Sequence, residues 1–423
     1  MVDYKFFEKI ISKHANTFYL ASLSLPKHLR YDFWVIYSYC RLVDEIADNF
    51  FIINDKQKAL DEIYQIKENL ILAFEGNYNK DNKIFLGLKE VFKKYKFDIK
   101  PFLELIEGAI WDIEGIEIKN LNDLINYSKL VAGSVGAMLF PIISNYKNEE
   151  ILKSAYNFGI FMQIVNILRD VGEDYKIRKR IYIPRTILKD FSIKEFHIKH
   201  GLITPNYIDM LEFLMEIAEK LFYENVDKIK FLREEIREAI YRAGIWYLEI
   251  LNAIRFNDYD NINKRAYVNR FFKFLSLFFD YKIKKEILKR TKKFKFLKFE
   301  EKFDVKKDVI VNFHSDFSNA NVNLPFGKII VSDAKIESEK IIDFLVDFKI
   351  FRKKLTLYII EFNENELVDY FENWFHIHRF YDNKVIEIVG YKLPIPEFLM
   401  KLFFNIRYKR LKNAINKYIF KRF

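Results

Sequence analysis

Four aspartates, in two pairs, are the residues whose spacing could do chemistry. In FGIFMQIVNILRDVGEDYKIRKRIYIPRTI (158–187), Gln163, Asn166, Asp170 and Asp174 recur every three or four residues, so on an α-helix they form one polar stripe. Around them Ile160, Phe161, Met162, Ile164, Val165, Ile167 and Leu168 are apolar, which places the helix inside a protein, where carboxylates need a cationic partner. WVIYSYCRLVDEIAD (34–48) repeats the pattern with Tyr37, Arg41, Asp44 and Asp48 among Trp34, Val35, Ile36, Leu42, Val43 and Ile46. Hard oxygen donors on two facing helices suit Mg²⁺, with Mn²⁺ as a second candidate; Mg²⁺ takes one or two carboxylates and completes its shell with water and substrate phosphate oxygens. One such Asp pair is ordinary on a solvated helix face. Two pairs in apolar helices point to a diphosphate substrate.

The elements that must position these groups read as all-α up to about residue 285. Pro26 suits a helix start, and the run after it keeps a helical period through Asp48. Residues 55–97 read as an outer helix pair, and FLELIEGAIWDIEG (102–115) as a mostly apolar helix carrying Glu107 and Asp112. YSKLVAGSVGAMLFPII holds Gly133, Ser134 and Gly136 in a helical apolar period. Glycine inside a helix costs about 1 kcal/mol against alanine, so either close helix packing or a bulky apolar ligand requires the small surface. Arg178, Lys179 and Arg180 precede Pro184, where the helix must stop; this cluster either holds a departing diphosphate or is a solvated charge run. Residues 206–256 read as two more helices, the second with Tyr241, Trp246 and Tyr247.

Half of the 423 residues are hydrophobic and 17% aromatic, which excludes general disorder. The first residues lack the order of a signal peptide, so a cytoplasmic address is the expectation. No apolar run reaches the length of a membrane span. Cys40 stands alone, excluding an intrachain disulfide. Residues 1–280 carry 40 basic and 40 acidic side chains, whereas 281–423 carry 30 and 19, so the net charge of +11 is C-terminal. Lys-rich residues 286–307 read as a linker and 308–423 as a small basic α/β domain. There VIVNF (309–313), KIIVS (328–332), LTLYIIEF (355–362) and KVIEIVG (384–390) read as strands; ESEKIIDFLVDFKIFRKK, NELVDYFENWFHIHRFY and the last segment read as helices. On a helix, His376 and His378 would point to different faces with no third metal ligand, which favours a structural role. The basic, aromatic stretch from Phe398 to Phe423 has the profile of a segment in peripheral contact with a membrane, or it packs on its own domain. No nucleic-acid motif accompanies the charge.

Five blocks, in order, resemble the squalene/phytoene synthase family: HANTFYLASLSLP, YSYCRLVDEIAD, YSKLVAGSVGAML, MQIVNILRDVGEDYKIRKRIYIP and AIYRAGIWYLEILNAIRFNDYDNINKRAYV. The resemblance implies an all-α isoprenoid synthase fold for residues 1–285, with prenyl diphosphates as substrates and Mg²⁺ as cofactor. Asp44, Asp48, Asp170 and Asp174 would be the metal ligands; Arg41, Tyr37, Gln163, Asn166, Arg180, Tyr182 and Arg265 would contact diphosphate or orient the metal shell. Phe18, Tyr127, Val131, Ala132, Val135, Gly136 and Tyr247 would line the prenyl channel, with His14 beside it. The implied reaction joins two prenyl diphosphates head to head through a cyclopropylcarbinyl diphosphate.

Two departures mark this chain. His14-Ala15-Asn16-Thr17-Phe18 stands where the family often has two hydroxyl residues, leaving Thr17, and the first motif reads Asp44-Glu45 instead of Asp-Asp. No NADPH motif is evident, which favours a cofactor-free product such as phytoene from geranylgeranyl diphosphate; squalene, dehydrosqualene or hydroxysqualene from farnesyl diphosphate are the alternatives. A non-catalytic assembly homologue is the reading from another class, and loss of the aspartates would signal it. The sequence sets neither chain length nor oligomeric state.

Overall fold

The computed structural model describes residues 3–53, 55–144, 148–268, 280–303, 305–315, 328–333, 341–347, 352–372, 374–392 and 396–420. It divides into two compact units, 1–201 with 209–289, and 202–208 with 290–423.

Among the described residues the first unit is built of helices, with one isolated bridge between Ser144 and Leu232. Its helices are α1 (Tyr4–His14), α2 (Asn16–Ser22), α3 (Lys27–Ile53), α4 (Lys56–Phe74), α5 (Lys83–Lys94), α6 (Lys100–Glu114), α7 (Leu121–Ser128), α8 (Ser134–Ile143), α9 (Glu149–Arg178), α10 (Arg185–Asp190), α11 (Glu195–Lys199), α12 (Pro205–Asn225), α13 (Glu234–Phe256) and α14 (Tyr281–Lys292). A π-turn, Lys129–Gly133, joins α7 to α8. Side-chain caps start several of them: Asn120 accepts from the Asp123 amide while Asp123 reaches back, and Asn148 caps α9. α9 stops at Lys179, whose φ of 53° is left-handed, five residues ahead of Pro184. By length and hydropathy α9 is long and apolar enough to cross a membrane, but 56% of its most apolar window is buried inside the unit.

Close contact between α8 and α9 explains the glycines. A Cβ on Gly136 would lie 2.4 Å from the Ala155 carbonyl oxygen, and one on Gly159 would lie 2.3 Å from that of Ala132. Helix packing thus demands both, and Gly136 also borders the cavity described below. Behind α9 sits a buried ion cluster. Arg255 on α13 pairs with Glu212 and Glu219 on α12 at 2.8 and 3.0 Å, and donates to the Tyr281 hydroxyl at 3.0 Å.

Among the described residues the second unit is a seven-stranded antiparallel sheet, in order β1-β7-β6-β5-β4-β3-β2, with two helices. Its strands are β1 (Lys295–Lys302), β2 (Lys328–Asp333), β3 (Ile341–Asp347), β4 (Arg352–Phe362), β5 (Glu366–Phe371), β6 (Trp374–Tyr381) and β7 (Lys384–Tyr391); its helices are α15 (Lys307–Ser315) and α16 (Glu397–Phe420). Strands at 328–333, 355–362 and 384–390 are found where the sequence places them. Four other segments differ. The Lys-rich 286–307 is no linker: α14 runs to Lys292, and Lys295–Lys302 is an edge strand whose buried Leu297 stands between exposed Phe296 and Lys298. Residues 309–313 lie in α15, which buries Ile310 and Phe313 at helical spacing. Ile341–Asp347, Glu366–Phe371 and Trp374–Tyr381 are strands, so His376 and His378 share one face. Charged residues at core-facing positions hide the two-residue period of the last two. The last helix packs on its own unit through Met400, Phe404, Tyr408, Leu411 and Ile415, while Phe398, Leu399 and Leu402 stay exposed.

Candidate active site

A cavity of about 700 Å³ opens between α3, α6, α8, α9 and α13, toward the upper end of the roughly 300–1,000 Å³ usual for small-molecule sites. Asp44, Asp48, Asp170 and Asp174 stand at one end of it, joined by His14, Tyr37, Arg41, Asp112, Arg169 and Arg178. Phe18, Tyr127, Val131, Ala132, Val135, Gly136, Phe158, Met162 and Tyr247 form its walls. Along α9 the lining runs from Asp174 back to Ile151; by the helical rise, Asp170 and Ile151 are about 28 Å apart. The π-turn shifts the register after Lys129 and so delivers both Val131 and Ala132 to the wall.

Arg178 spans the rim. Its Nη2 donates to Asp48 Oδ1 at 2.7 Å, and its Nη1 donates to Asp174, tying α3 to α9. Arg169 holds Asp170 with two parallel bonds of 2.8 and 2.5 Å, and Arg265 reaches the same carboxylate at 2.9 Å and Glu173 at 3.0 Å. Arg41 donates to Glu45 at 3.1 Å and lies 3.6 Å from Asp48. Asp112 accepts from Tyr127 at 2.8 Å and Tyr182 at 2.9 Å, and the two tyrosine rings stack with centroids 5.2 Å apart.

Asp44, Asp174 and Asp112 still lack enough positive charge around them. Enclosure by the cavity walls lifts the Asp44 carboxyl to about 7, aided by Asp48 and Asp112 and opposed by Arg41 and Arg178. Burial lifts Asp174 to about 6 against the pull of Arg178, and raises Asp112 as well. The Asn166 Oδ1 acceptor is buried without a partner on the cavity wall. An all-oxygen donor set in which Asp44 and Asp174 have raised pKa values, beside an orphaned acceptor, fits a hard divalent ion. Burial also pushes the Tyr247 and Tyr37 hydroxyls up, so both are donors.

Of the residues that the family resemblance assigns to the site, all line the cavity except Arg180 and Arg265. Arg180 sits behind the wall, 3.5 Å from Asp112, and donates to the Ile116 carbonyl at 3.0 Å. Arg265 acts through its bond to Asp170. The Thr17 side chain lies outside the described residues. Arg169 and Asp112 were assigned no site role from the sequence, and Arg178 was one of three cations in a cluster. A lone carboxylate in an apolar helix was the available signal for Asp112; Glu107, also on α6, faces solvent.

An all-helical body holding a long apolar cavity, headed by aspartates and arginines from two facing helices, defines an isoprenoid synthase type of protein. The chain belongs to the squalene/phytoene synthase family, whose model matches residues 11–271. It is 32% identical over 267 residues to a chloroplastic phytoene synthase of an Oncidium hybrid cultivar, covering 62% of this chain and 63% of that one. It is 32% identical over 280 residues to the 15-cis-phytoene synthase of Synechococcus elongatus, covering 64% of this chain and 89% of that one. Among solved structures, a dehydrosqualene synthase matches with 30% identity and a TM-score of 0.57, over 68% of this chain and 96% of the other. A squalene synthase from Alicyclobacillus acidocaldarius shares the fold, at 24% identity and a TM-score of 0.56, over 61% of this chain and 94% of that one.

Proposed function

We propose that the protein condenses two prenyl diphosphates head to head, and that two molecules of geranylgeranyl diphosphate give phytoene. The observation that carries this reading is one continuous cavity with a cationic, carboxylate-bearing end and an apolar wall long enough for a prenyl chain. The similarity to relatives named phytoene synthase supports the twenty-carbon substrate.

Asp44, Asp48, Asp170 and Asp174 would hold Mg²⁺, which supplies charge stabilisation for a departing diphosphate. Arg178 and Arg41 stand beside those carboxylates to receive the diphosphate oxygens. Loss of diphosphate leaves an allylic cation; the double bond of the second substrate attacks it, and proton loss closes the cyclopropane ring. Ionisation of that intermediate, rearrangement and a second proton loss give the triene core of phytoene. The faces of Phe18, Tyr127, Phe158 and Tyr247 line the path of the cations, and the surrounding apolar wall excludes water that would quench them. Arg169 and Arg265 keep Asp170 oriented.

A second reading, dehydrosqualene or squalene from farnesyl diphosphate, is favoured by the likeness to a dehydrosqualene synthase structure. Incubation with Mg²⁺ and farnesyl or geranylgeranyl diphosphate, with and without NADPH, followed by mass analysis of the hydrocarbons, decides between them. A C40 product without NADPH is expected. A C30 product reassigns the substrate, and no hydrocarbon from folded protein overturns the enzymatic reading.

A further inference from the structure

The second unit carries a cluster of titratable side chains that the condensation does not use. Asp369 on β5 is directly opposite His376 on β6, and His378, two residues further along β6, is directly opposite Glu387 on β7. Residues two apart on a strand share a face, so all four side chains point to the same side of the sheet. That side is the core of the unit: side-chain exposure is 8% for Asp369, 13% for His376, 5% for His378 and 2% for Glu387. Helices α15 and α16 cover it, with the His314 ring 5.4 Å from that of His378 and the Phe404 ring 6.5 Å from that of His376.

We propose that Asp369, His376 and His378 bind a divalent transition-metal ion of the zinc class. One donor atom from each residue lies within 4.8 Å of the other two. Asp369 Oδ1 stands 3.4 Å from His376 Nδ1, and its other oxygen, Oδ2, stands 3.5 Å from His378 Nε2. Charge-assisted hydrogen bonds are about 2.7–2.9 Å long, so these gaps are too wide for good direct pairing. Donors on a tetrahedron with arms of about 2.0–2.1 Å are instead about 3.3–3.4 Å apart.

The surroundings have the form of an outer shell. Glu387 Oε1 lies 3.8 Å from His378 Nδ1, on the side of the ring away from Asp369. Arg407 and Tyr408 of α16 both donate to Glu387, fixing it in place. At 3.8 Å Glu387 makes no hydrogen bond to that nitrogen, but its carboxylate stands on the side of the ring where a ligating imidazole carries its N–H. The other nitrogen of His376, Nε2, is buried without a partner. Next to the cluster, the His314 Nδ1 is 2.9 Å from the Ile310 carbonyl, and burial holds that ring neutral with a pKa near 4. Two imidazoles and one carboxylate select zinc, iron or cobalt over the Mg²⁺ suited to the all-oxygen cavity of the first unit.

The test uses tag-free, full-length protein stripped with a chelator and titrated with Zn²⁺ in excess Mg²⁺, which saturates the aspartate site. One bound Zn²⁺ per chain is expected, with the intense visible absorption of four-coordinate Co²⁺ when cobalt replaces it. His376→Ala and His378→Ala should each lose that equivalent, whereas Asp44→Asn should keep it. X-ray absorption of the wild-type zinc form should count two imidazoles, a readout that needs no variant to fold. Absence of Zn²⁺ binding by the wild type, an all-oxygen shell, or histidine variants that fold and keep the equivalent would each overturn the assignment.

Discussion

Arg178 Nη2 stands 2.7 Å from Asp48 Oδ1 and so ties the end of α9 to the last turns of α3. The same guanidinium donates to Asp174, placing one cation between two carboxylates from different helices. Replacing it with methionine leaves those carboxylates to repel each other and removes a donor from the diphosphate end. Arg178→Met should lower kcat about 100-fold, the scale of losing one preorganised donor. Steady-state kinetics beside an unchanged circular dichroism spectrum checks this.

Asp170 is held by Arg169 and Arg265, so the isosteric amide should leave the helix in place while removing a charge needed by the metal. Asp170→Asn should abolish measurable turnover at any Mg²⁺ concentration without a change in Tm beyond a few degrees. Normal activity in the variant would remove the aspartates from the mechanism.

Ala155 lies on α9 deep in the cavity, on the same face as Phe158, Gly159 and Met162. A phenylalanine there would fill the far end. Ala155→Phe should depress turnover of geranylgeranyl diphosphate at least tenfold more than that of farnesyl diphosphate, measured as kcat/KM for each. Equal losses would show that the chain ends before reaching this depth.

Arg255 is fully buried between Glu212, Glu219 and Tyr281. Arg255→Ala strips the cation from buried carboxylates, one of which it holds down near pKa 2. Unfolding free energy should fall by about 3–5 kcal/mol, the usual cost of breaking a buried pair from one side. Denaturant titration measures it.

His197 is buried and its pKa is lowered to about 4, chiefly by burial. An unfolded histidine takes up its proton near pH 6.5, so between those values the unfolded chain binds more protons than the folded one. Stability from this group is present above pH 6.5 and is lost as pH falls to about 4, by up to about 3 kcal/mol. His197→Phe should flatten that part of the stability profile measured by denaturant titration.

The sequence alone determined the helical catalytic body, because local patterns there agree with the tertiary outcome. Asp44, Asp48, Asp170 and Asp174 repeat at helical spacing in helices long enough for the period to be unambiguous, and the glycines at 133 and 136 called for a small surface, against a packed helix or a ligand. Tertiary structure alone decided which cations meet those carboxylates. Arg178, Arg169 and Asp112 reach the cavity through the angles at which α3, α6 and α9 cross, and no residue spacing encodes those angles. In the second unit, short strands depend on partners far along the chain. Asp369, His376, His378 and Glu387 occupy inward positions where apolar residues would have shown the strand period. Only the pairing of β5, β6 and β7 brings these four together on one buried face.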